Sequence, residues 1–110
     1  MMTDLLDRAT AETYASWFRA LADPSRVQIV EYLARQNRPL PVGEIVAAVG
    51  LAQSTVSQHL KILADVRFVL AEAVGTARHY RINDRCVDCF PSAADVVMGH
   101  PAPATVGACG

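Results

Sequence analysis

The feature of this sequence that most constrains its fold is a change in the spacing of apolar residues near position 67. Upstream of it, apolar residues recur every three or four positions, as along one face of a helix. Downstream, two runs alternate between apolar and polar residues on either side of Val74-Gly75-Thr76. This alternation predicts a β-hairpin with strands Phe68–Ala73 and Arg78–Ile82, in which the glycine supplies the turn.

Four helices are predicted before the hairpin and one after it. Asp23 and Pro24 begin the second helix as N-cap and first helical residue, and Gly50 ends the third. Asn83 or Asp84 caps the last helix. The four upstream helices span Asp4–Ala22, Pro24–Arg35, Val42–Val49 and Gln53–Asp65. The predicted fold class is mainly α with a small β-hairpin, in the order α-α-α-α-β-β-α, which is the winged helix-turn-helix.

The helical period also predicts which residues face inward. The residues expected in the core are Val27, Val30, Leu33 and Ala34 of the second helix, Ile45, Val46 and Val49 of the third, and Val56, Leu60 and Leu63 of the fourth. The outer helices carry more large apolar groups than so thin a domain can cover. We therefore expect a homodimer whose interface is formed by Leu6, Tyr14, Trp17 and Phe18 of the first helix and Val87, Phe90, Ala94 and Val97 of the last.

The length of 110 residues predicts one domain. We assign residues 1–98 to a single winged helix-turn-helix domain that also forms the dimer, and residues 99–110 to a flexible tail rich in proline, alanine and glycine. No apolar run approaches the ~20 residues of a membrane span, and the acidic N-terminus does not resemble a secretory signal. A cytoplasmic location without a membrane partner is therefore expected.

The fourth predicted helix has a polar side that suits DNA. It presents hydroxyls, amides and a lysine, with no acidic residue before Asp65. Hydroxyls contact phosphates and bases, glutamine reads adenine edges, and lysine pairs with phosphate or guanine. A helix that is merely solvated would be expected to mix Glu with Lys. The predicted DNA contacts are Gln53, Ser54, Thr55, Ser57, Gln58, His59 and Lys61 of this helix and Arg78 and Arg81 of the hairpin.

The distribution of charge supports this prediction better than the net charge of −1 does. Between Gly50 and Arg85 there are five basic and three acidic residues, whereas no Lys or Arg occurs after Arg85. A local basic excess is what an electrostatic DNA footprint requires.

Three stretches of the chain, LADPSRVQIVEYL, LPVGEIVAAVGLAQSTVSQHLKIL and GTARHYRI, resemble the ArsR-type winged-helix repressors, which respond to arsenic and metals. The resemblance runs from Trp17 to Ile82. It implies a homodimer with the first and last helices at the interface, and a fourth helix that reads the major groove of an operator in double-stranded DNA. It also implies repression that is relieved by a metal ion, a metalloid, an oxidant or another signal.

The chain departs from the family pattern at three places. Many metal sensors of the family carry a cysteine pair in the third helix, but Leu40–Val46 contains no cysteine. Others use paired Asp and His ligands on the last helix, where this chain has no histidine before His100. Family members often have glycine at the position of Arg67, so the turn before the hairpin is expected to differ. Neither of the two metal sites can be carried over.

The cysteines leave several interpretations open. Cys86 and Cys89 lie on one face of the last predicted helix, where two thiolates suit a thiophilic ion such as arsenite, Cd(II) or Zn(II), or a redox reaction. Cys109 or a group from the second subunit would supply a third ligand. Alternatively, both thiols pack at the dimer interface as small apolar groups.

Enzyme activity is not expected, since the sequence contains no phosphate-binding loop, H-E-x-x-H or G-x-S-x-G motif. His59 is expected to serve structure or to face a phosphate, and His79 to contact the DNA backbone or to pack. The alternative to a repressor is a winged-helix protein-interaction module that senses no inducer.

Overall fold

The structure is a computed structural model that describes residues 5–85 and 97–98 of the chain. Its helices are α1 (Arg8–Ala20), α2 (Pro24–Gln36), α3 (Val42–Val49) and α4 (Gln53–Asp65). Its strands are β1 (Leu40–Pro41), β2 (Val69–Val74) and β3 (Ala77–Ile82). The described part is a winged helix-turn-helix, in which the β2–β3 hairpin follows α3 and α4, and β1 joins it in an antiparallel sheet of strand order β1-β3-β2.

Aspartate side chains determine where the first two helices begin. The Asp7 carboxylate accepts a hydrogen bond from the Thr10 backbone N–H at 2.9 Å, and α1 therefore starts at Arg8. The predicted start at Asp4 was wrong, because the true capping residue lies three positions later. The predicted cap of α2 is confirmed: Asp23 accepts from the N–H of Ser25 at 2.8 Å, and Pro24 follows it in the first turn.

The predicted inner face of α2 was partly wrong. Ile29 and Leu33 are fully buried, whereas Val27 is 49% exposed and Ala34 is exposed. The N-terminal half of α2 carries apolar residues on two sides, so the helical period alone did not distinguish Val27 from Ile29. In contrast, the inward positions chosen for α3 and α4 are confirmed, with Ile45, Val56, Leu60 and Leu63 all fully buried.

The sheet contains one strand that the sequence did not predict. Strand β1 is two residues long and pairs with β3 through Leu40–Tyr80 and Pro41–His79. It is too short to show alternation, and it contains a proline, which a sheet accepts at its edge. The β2–β3 hairpin is confirmed, with Val74 opposite Ala77 and Gly75 at φ 63° in the intervening two-residue turn.

Strand β1 brings the helices and the sheet onto one core. Leu40 is fully buried against residues from α2, α3, α4 and both hairpin strands. The buried residues of this core are Ala20, Ile29, Leu33, Leu40, Ile45, Val56, Leu60, Leu63, Phe68, Val69, Tyr80 and Ile82. Helix α4 is anchored in this core through Val56, Leu60 and Leu63.

Helix α4 ends in a left-handed turn at Arg67, where φ is 67°. The backbone N–H of Arg67 donates to the Ala64 carbonyl oxygen, and that of Phe68 donates to the Leu63 carbonyl oxygen, both at 3.0 Å. These two bonds form a Schellman motif, which normally has glycine at the left-handed position. The turn keeps this geometry although its left-handed residue is arginine, so the expectation of a different turn was wrong.

The last predicted helix is described only at its start. Asn83 accepts from the Arg85 backbone N–H at 3.2 Å, so Asn83, one of the two predicted caps, occupies the capping position. Residues 86–96 and 99–110 lie outside the described residues, and with them Cys86, Val87, Cys89, Phe90, Ala94, His100 and Cys109. Within the described ranges no helix is both long and apolar enough to cross a membrane.

Candidate nucleic-acid interface

The two sides of α4 differ completely in burial. Val56, Leu60 and Leu63 have no exposed surface and anchor the helix to the core. The opposite side is open to solvent and carries no acidic residue until Asp65. Its exposed residues are Gln53, Ser54, Thr55, Ser57, Gln58 and Lys61. Six of the seven residues predicted to contact DNA from this helix therefore share one accessible surface, and His59 is the exception.

The first turn of α4 has no side-chain cap, unlike those of α1 and α2. Its N-cap residue is Ala52, which has no side-chain acceptor for the backbone N–H groups that follow. The first N–H groups of a helix have no partner within it, and they carry the positive end of the helix dipole. An uncapped helix start beside hydroxyl and amide side chains is suited to receive a phosphate group.

The two predicted arginine contacts of the hairpin lie on opposite faces of the sheet. Side chains alternate along β3, so that Arg78 shares a face with buried Tyr80 while Arg81 shares the other with His79. Arg81 forms an ion pair with Glu72 of β2, with Nε 3.1 Å from Oε2. Arg78 is exposed and has no ion-pair partner among the described residues. Arg78 is thus available to a phosphate group, whereas Arg81 is already paired within the hairpin.

His59 is half-buried and is tied to α2 rather than presented wholly to solvent. Its Nδ1 lies 3.2 Å from Nη1 of Arg26, whose Nε donates to the carbonyl oxygen of Ala20 at 2.6 Å. Arg26 therefore joins the end of α1, the start of α2 and the recognition helix. Sequence reasoning missed this role of Arg26, since nothing in the local pattern links positions that are 33 residues apart.

The same cluster perturbs the pKa of Asp23. Burial raises the pKa of this carboxyl, but hydrogen bonds from the N–H groups of Arg26 and Ser25 outweigh that effect. Electrostatic interactions with His59 and Arg26 act in the same direction as those bonds, and the pKa of Asp23 falls below its ordinary value. Asp23 is consequently a stable anion that both caps α2 and balances the charge of Arg26.

Of the interface residues predicted in the first helix, Tyr14, Trp17 and Phe18 lie in α1, whereas Leu6 precedes its cap, so the placement of Leu6 in that helix was wrong. Tyr14 is buried and stacks near Trp17, with ring centroids 5.3 Å apart. Trp17 and Phe18 are half-buried, while Leu6 is 38% exposed. Of the four predicted interface residues of the last helix, only Val97 is described, and it is 52% exposed.

The described residues contain no group of three or more His, Cys, Asp or Glu side chains arranged to hold a metal ion.

The class of winged-helix nucleic-acid-binding domains is defined by two features seen here. One is a helix-turn-helix whose second helix exposes an acid-free polar side. The other is a hairpin that follows it and carries an arginine with no ion-pair partner within the described ranges. Comparison with known proteins agrees with this class. Residues 23–70 match the model of the bacterial regulatory proteins of the arsR family. This chain belongs to the ArsR family.

Among curated proteins, the HTH-type transcriptional regulator NmtR of Mycobacterium tuberculosis is 38% identical over 79 residues, covering 72% of this chain and 64% of that protein. The chain thus spans somewhat less than two thirds of the length of this and similar curated relatives.

Two solved structures show the same fold. The homodimeric winged helix-turn-helix DNA-binding domain of Mb0332 from Mycobacterium bovis, a possible ArsR-family regulator, superposes with a TM-score of 0.67. It is 30% identical and covers 88% of this chain and 91% of its own. The AntR antimony-specific transcriptional repressor superposes with a TM-score of 0.69 at 34% identity, covering 87% of this chain and 84% of its own.

Proposed function

We propose that this protein is a homodimeric transcriptional repressor whose α4 reads a pseudo-palindromic operator in double-stranded DNA. The observation that carries the proposal is the exposed side of α4, where six polar residues without an acid lie opposite three fully buried anchors. Gln58 and Ser57 supply groups for base edges, and Lys61 together with the uncapped helix start supplies contacts to phosphates. Arg78 of the hairpin adds a flanking phosphate contact.

The homodimer follows from the geometry of operators and from the exposed apolar groups of α1. One protomer offers one recognition helix, and two protomers related by a two-fold axis read two half-sites about 34 Å apart, one turn of DNA. The homodimeric state of the Mycobacterium bovis domain supports the same assembly here. The described candidates for the contact are Trp17 and Phe18 of α1, Leu6 just before it, and Val97.

The proposed inducer is a thiophilic metal or metalloid ion bound through Cys86 and Cys89, with Cys109 as a further ligand and oxidation as the alternative signal. A structural relative that is a repressor specific for antimony, itself a thiophilic metalloid, supports this choice. The pair begins three residues after Asn83, whose side chain is bonded to the turn that ends α4. A ligand bound to this pair would act on the junction between Asn83 and the turn that ends α4. A coupling free energy of about 1–3 kcal/mol between ion binding and DNA binding is sufficient for an allosteric response.

DNA binding is tested by fluorescence anisotropy with a mixed-sequence duplex over a range of salt concentrations. A DNA-binding protein of this class loses affinity steeply as salt rises, because each phosphate contact releases condensed counterions. The variant Lys61→Gln should bind more weakly, whereas Glu31→Gln on the far side of α2 should not. Absence of binding even at low salt would overturn the proposal and favour a protein-interaction module.

The dimer is tested by analytical ultracentrifugation of Phe18→Asp, with Val74→Asp at the exposed tip of the hairpin as a matched control. The first variant should sediment as a folded monomer and lose most operator affinity. The control should remain dimeric, since Val74 lies outside the proposed interface and is 46% exposed. A stable dimer of Phe18→Asp would contradict this interface.

A further inference from the structure

The hydrogen bonding of His59 sets the protonation state of its ring. A guanidinium group donates hydrogen bonds and accepts none, so the contact from Arg26 Nη1 requires an unprotonated Nδ1 on His59. The single proton of a neutral imidazole then lies on Nε2. The contact with Arg26 therefore favours a His59 ring whose outer nitrogen, Nε2, carries the proton and can donate it in a hydrogen bond.

The outer nitrogen of His59 is available to a ligand. None of the hydrogen bonds that the structure shows in the described part of the chain uses Nε2, while Nδ1 is engaged by Arg26. No buried side-chain nitrogen or oxygen of the described residues lacks a partner, so Nε2 is in contact with solvent. Four residues before His59 on the same helix lies Thr55, an exposed residue of the polar side.

We propose that Arg26 is a positioning residue for DNA recognition: it holds His59 as the Nε2–H tautomer, and this N–H donates a hydrogen bond to an acceptor on the operator. The acceptor is a phosphate oxygen or a purine N7 or O6, all of which accept from a neutral imidazole. The inference rests on the proposed function of α4 in DNA binding.

Arg26 can fix the ring because two other hydrogen bonds hold Arg26 itself in place. Its Nε donates to Ala20 at 2.6 Å, and its backbone N–H donates to the Asp23 carboxylate at 3.3 Å. Its Nη1 is the third contact, at 3.2 Å from His59. A lysine has one charged nitrogen instead of a rigid fork, so it cannot satisfy Ala20 and His59 together. Arg26→Lys is therefore the variant that keeps the charge and removes the alignment.

The tautomer is measured without DNA by ¹⁵N NMR of histidine side chains in the full-length protein at neutral pH. We expect His59 to show the Nε2–H form in the wild type and a mixture of both neutral tautomers in Arg26→Lys. A wild-type ring in the Nδ1–H form, or an unchanged ring spectrum in Arg26→Lys, would overturn the proposal. This result does not depend on whether the protein binds DNA.

The donor is tested with two amide variants of His59. His59→Asn places an acceptor near the position of Nδ1 and retains the contact with Arg26, but it removes the outer donor. His59→Gln places an amide N–H near the position of Nε2 and retains the donor. We expect His59→Asn to fold as the wild type does and to bind DNA about tenfold more weakly per protomer, as for one lost hydrogen bond. His59→Gln should recover part of that loss.

Comparison of two duplexes identifies the acceptor. A phosphate contact lowers affinity for operator and mixed-sequence DNA alike, whereas a base contact lowers affinity for the operator alone. Equal affinities of wild type and His59→Asn for both duplexes would overturn the role of the donor. If the wild type itself bound neither duplex, the proposed function would be wrong. The NMR measurement of the His59 tautomer would still test the role of Arg26, because it is made without DNA.

Discussion

The side-chain Nδ2 of Asn83 donates a hydrogen bond to the backbone carbonyl oxygen of Arg67 at 2.7 Å. The same residue donates from its backbone N–H to the Phe68 carbonyl oxygen at 3.0 Å and accepts from the Arg85 N–H. Asn83 thereby joins the end of the recognition helix to the first residues of the segment that carries Cys86.

Two substitutions of Asn83 separate its roles. Asn83→Ala removes both the bond to Arg67 and the cap on Arg85, and we expect it to reduce the free energy of unfolding by about 1–2 kcal/mol. Asn83→Asp keeps a capping acceptor but loses the donor to Arg67, so its loss should be smaller. Urea denaturation at a fixed protein concentration measures both. Equal stabilities of Asn83→Ala and the wild type would show that these bonds contribute nothing.

The left-handed residue Arg67 offers a stabilising substitution. A side chain in this conformation costs roughly 1–2 kcal/mol, whereas glycine adopts it without strain and loses about 0.5–1 kcal/mol through the entropy of the unfolded chain. Arg67→Gly should therefore raise the free energy of unfolding by about 0.5–1 kcal/mol. Arg67→Val is the opposite control, because β-branched residues tolerate this region poorly. A destabilised Arg67→Gly would show that the arginine side chain contributes more than the strain it causes.

The two arginines of the hairpin should differ in their effect on salt dependence. Arg78 is exposed without an ion-pair partner among the described residues, while Arg81 is paired with Glu72. Loss of one phosphate contact per protomer lowers the slope of log affinity against log salt by about 0.9, hence by about 2 in a dimer. We expect this change for Arg78→Ala and little change for Arg81→Ala. The reverse order would assign the phosphate contact to the other face of the hairpin.

Release from DNA tests the cysteine pair. The wild-type complex is titrated with arsenite, Sb(III), Cd(II), Zn(II) and peroxide, and the titration is repeated with Cys86→Ser/Cys89→Ser. We expect one of the thiophilic ions to release the wild type and to leave the double variant bound. Because the thiols lose their protons when they bind an ion as thiolates, the effective ion should act at lower concentration as pH rises. Release of the double variant at the wild-type concentration would place the sensor elsewhere in the chain.

Sequence patterns located the elements that local chemistry defines. The bounds of α3 and α4 were predicted to the residue, since Gly50 takes a left-handed conformation and three apolar residues of α4 recur at i, i+4 and i+7. The strand β1 and the buried face of α2 were not predicted correctly. Both depend on tertiary partners, Tyr80 for Leu40 and the core for Ile29, that no local window contains.

The sequence likewise predicted only those parts of the candidate site that depend on neighbouring positions in the chain. The polar side of α4 followed from the period of one helix. The contact of Arg26 with His59 and the opposite orientation of Arg78 and Arg81 required the packed structure, because the first joins distant positions and the second depends on sheet register.

The most direct test of the central claim is the selection of binding sites from a pool of random DNA duplexes by the wild-type protein, followed by sequencing. A homodimer that reads bases through α4 should enrich a pseudo-palindrome whose half-sites lie about 10 base pairs apart. Selection with Gln58→Ala should relax one base position in each half-site and leave the spacing unchanged. Recovery of no common motif, or of an identical motif with Gln58→Ala, would contradict sequence reading by this helix surface.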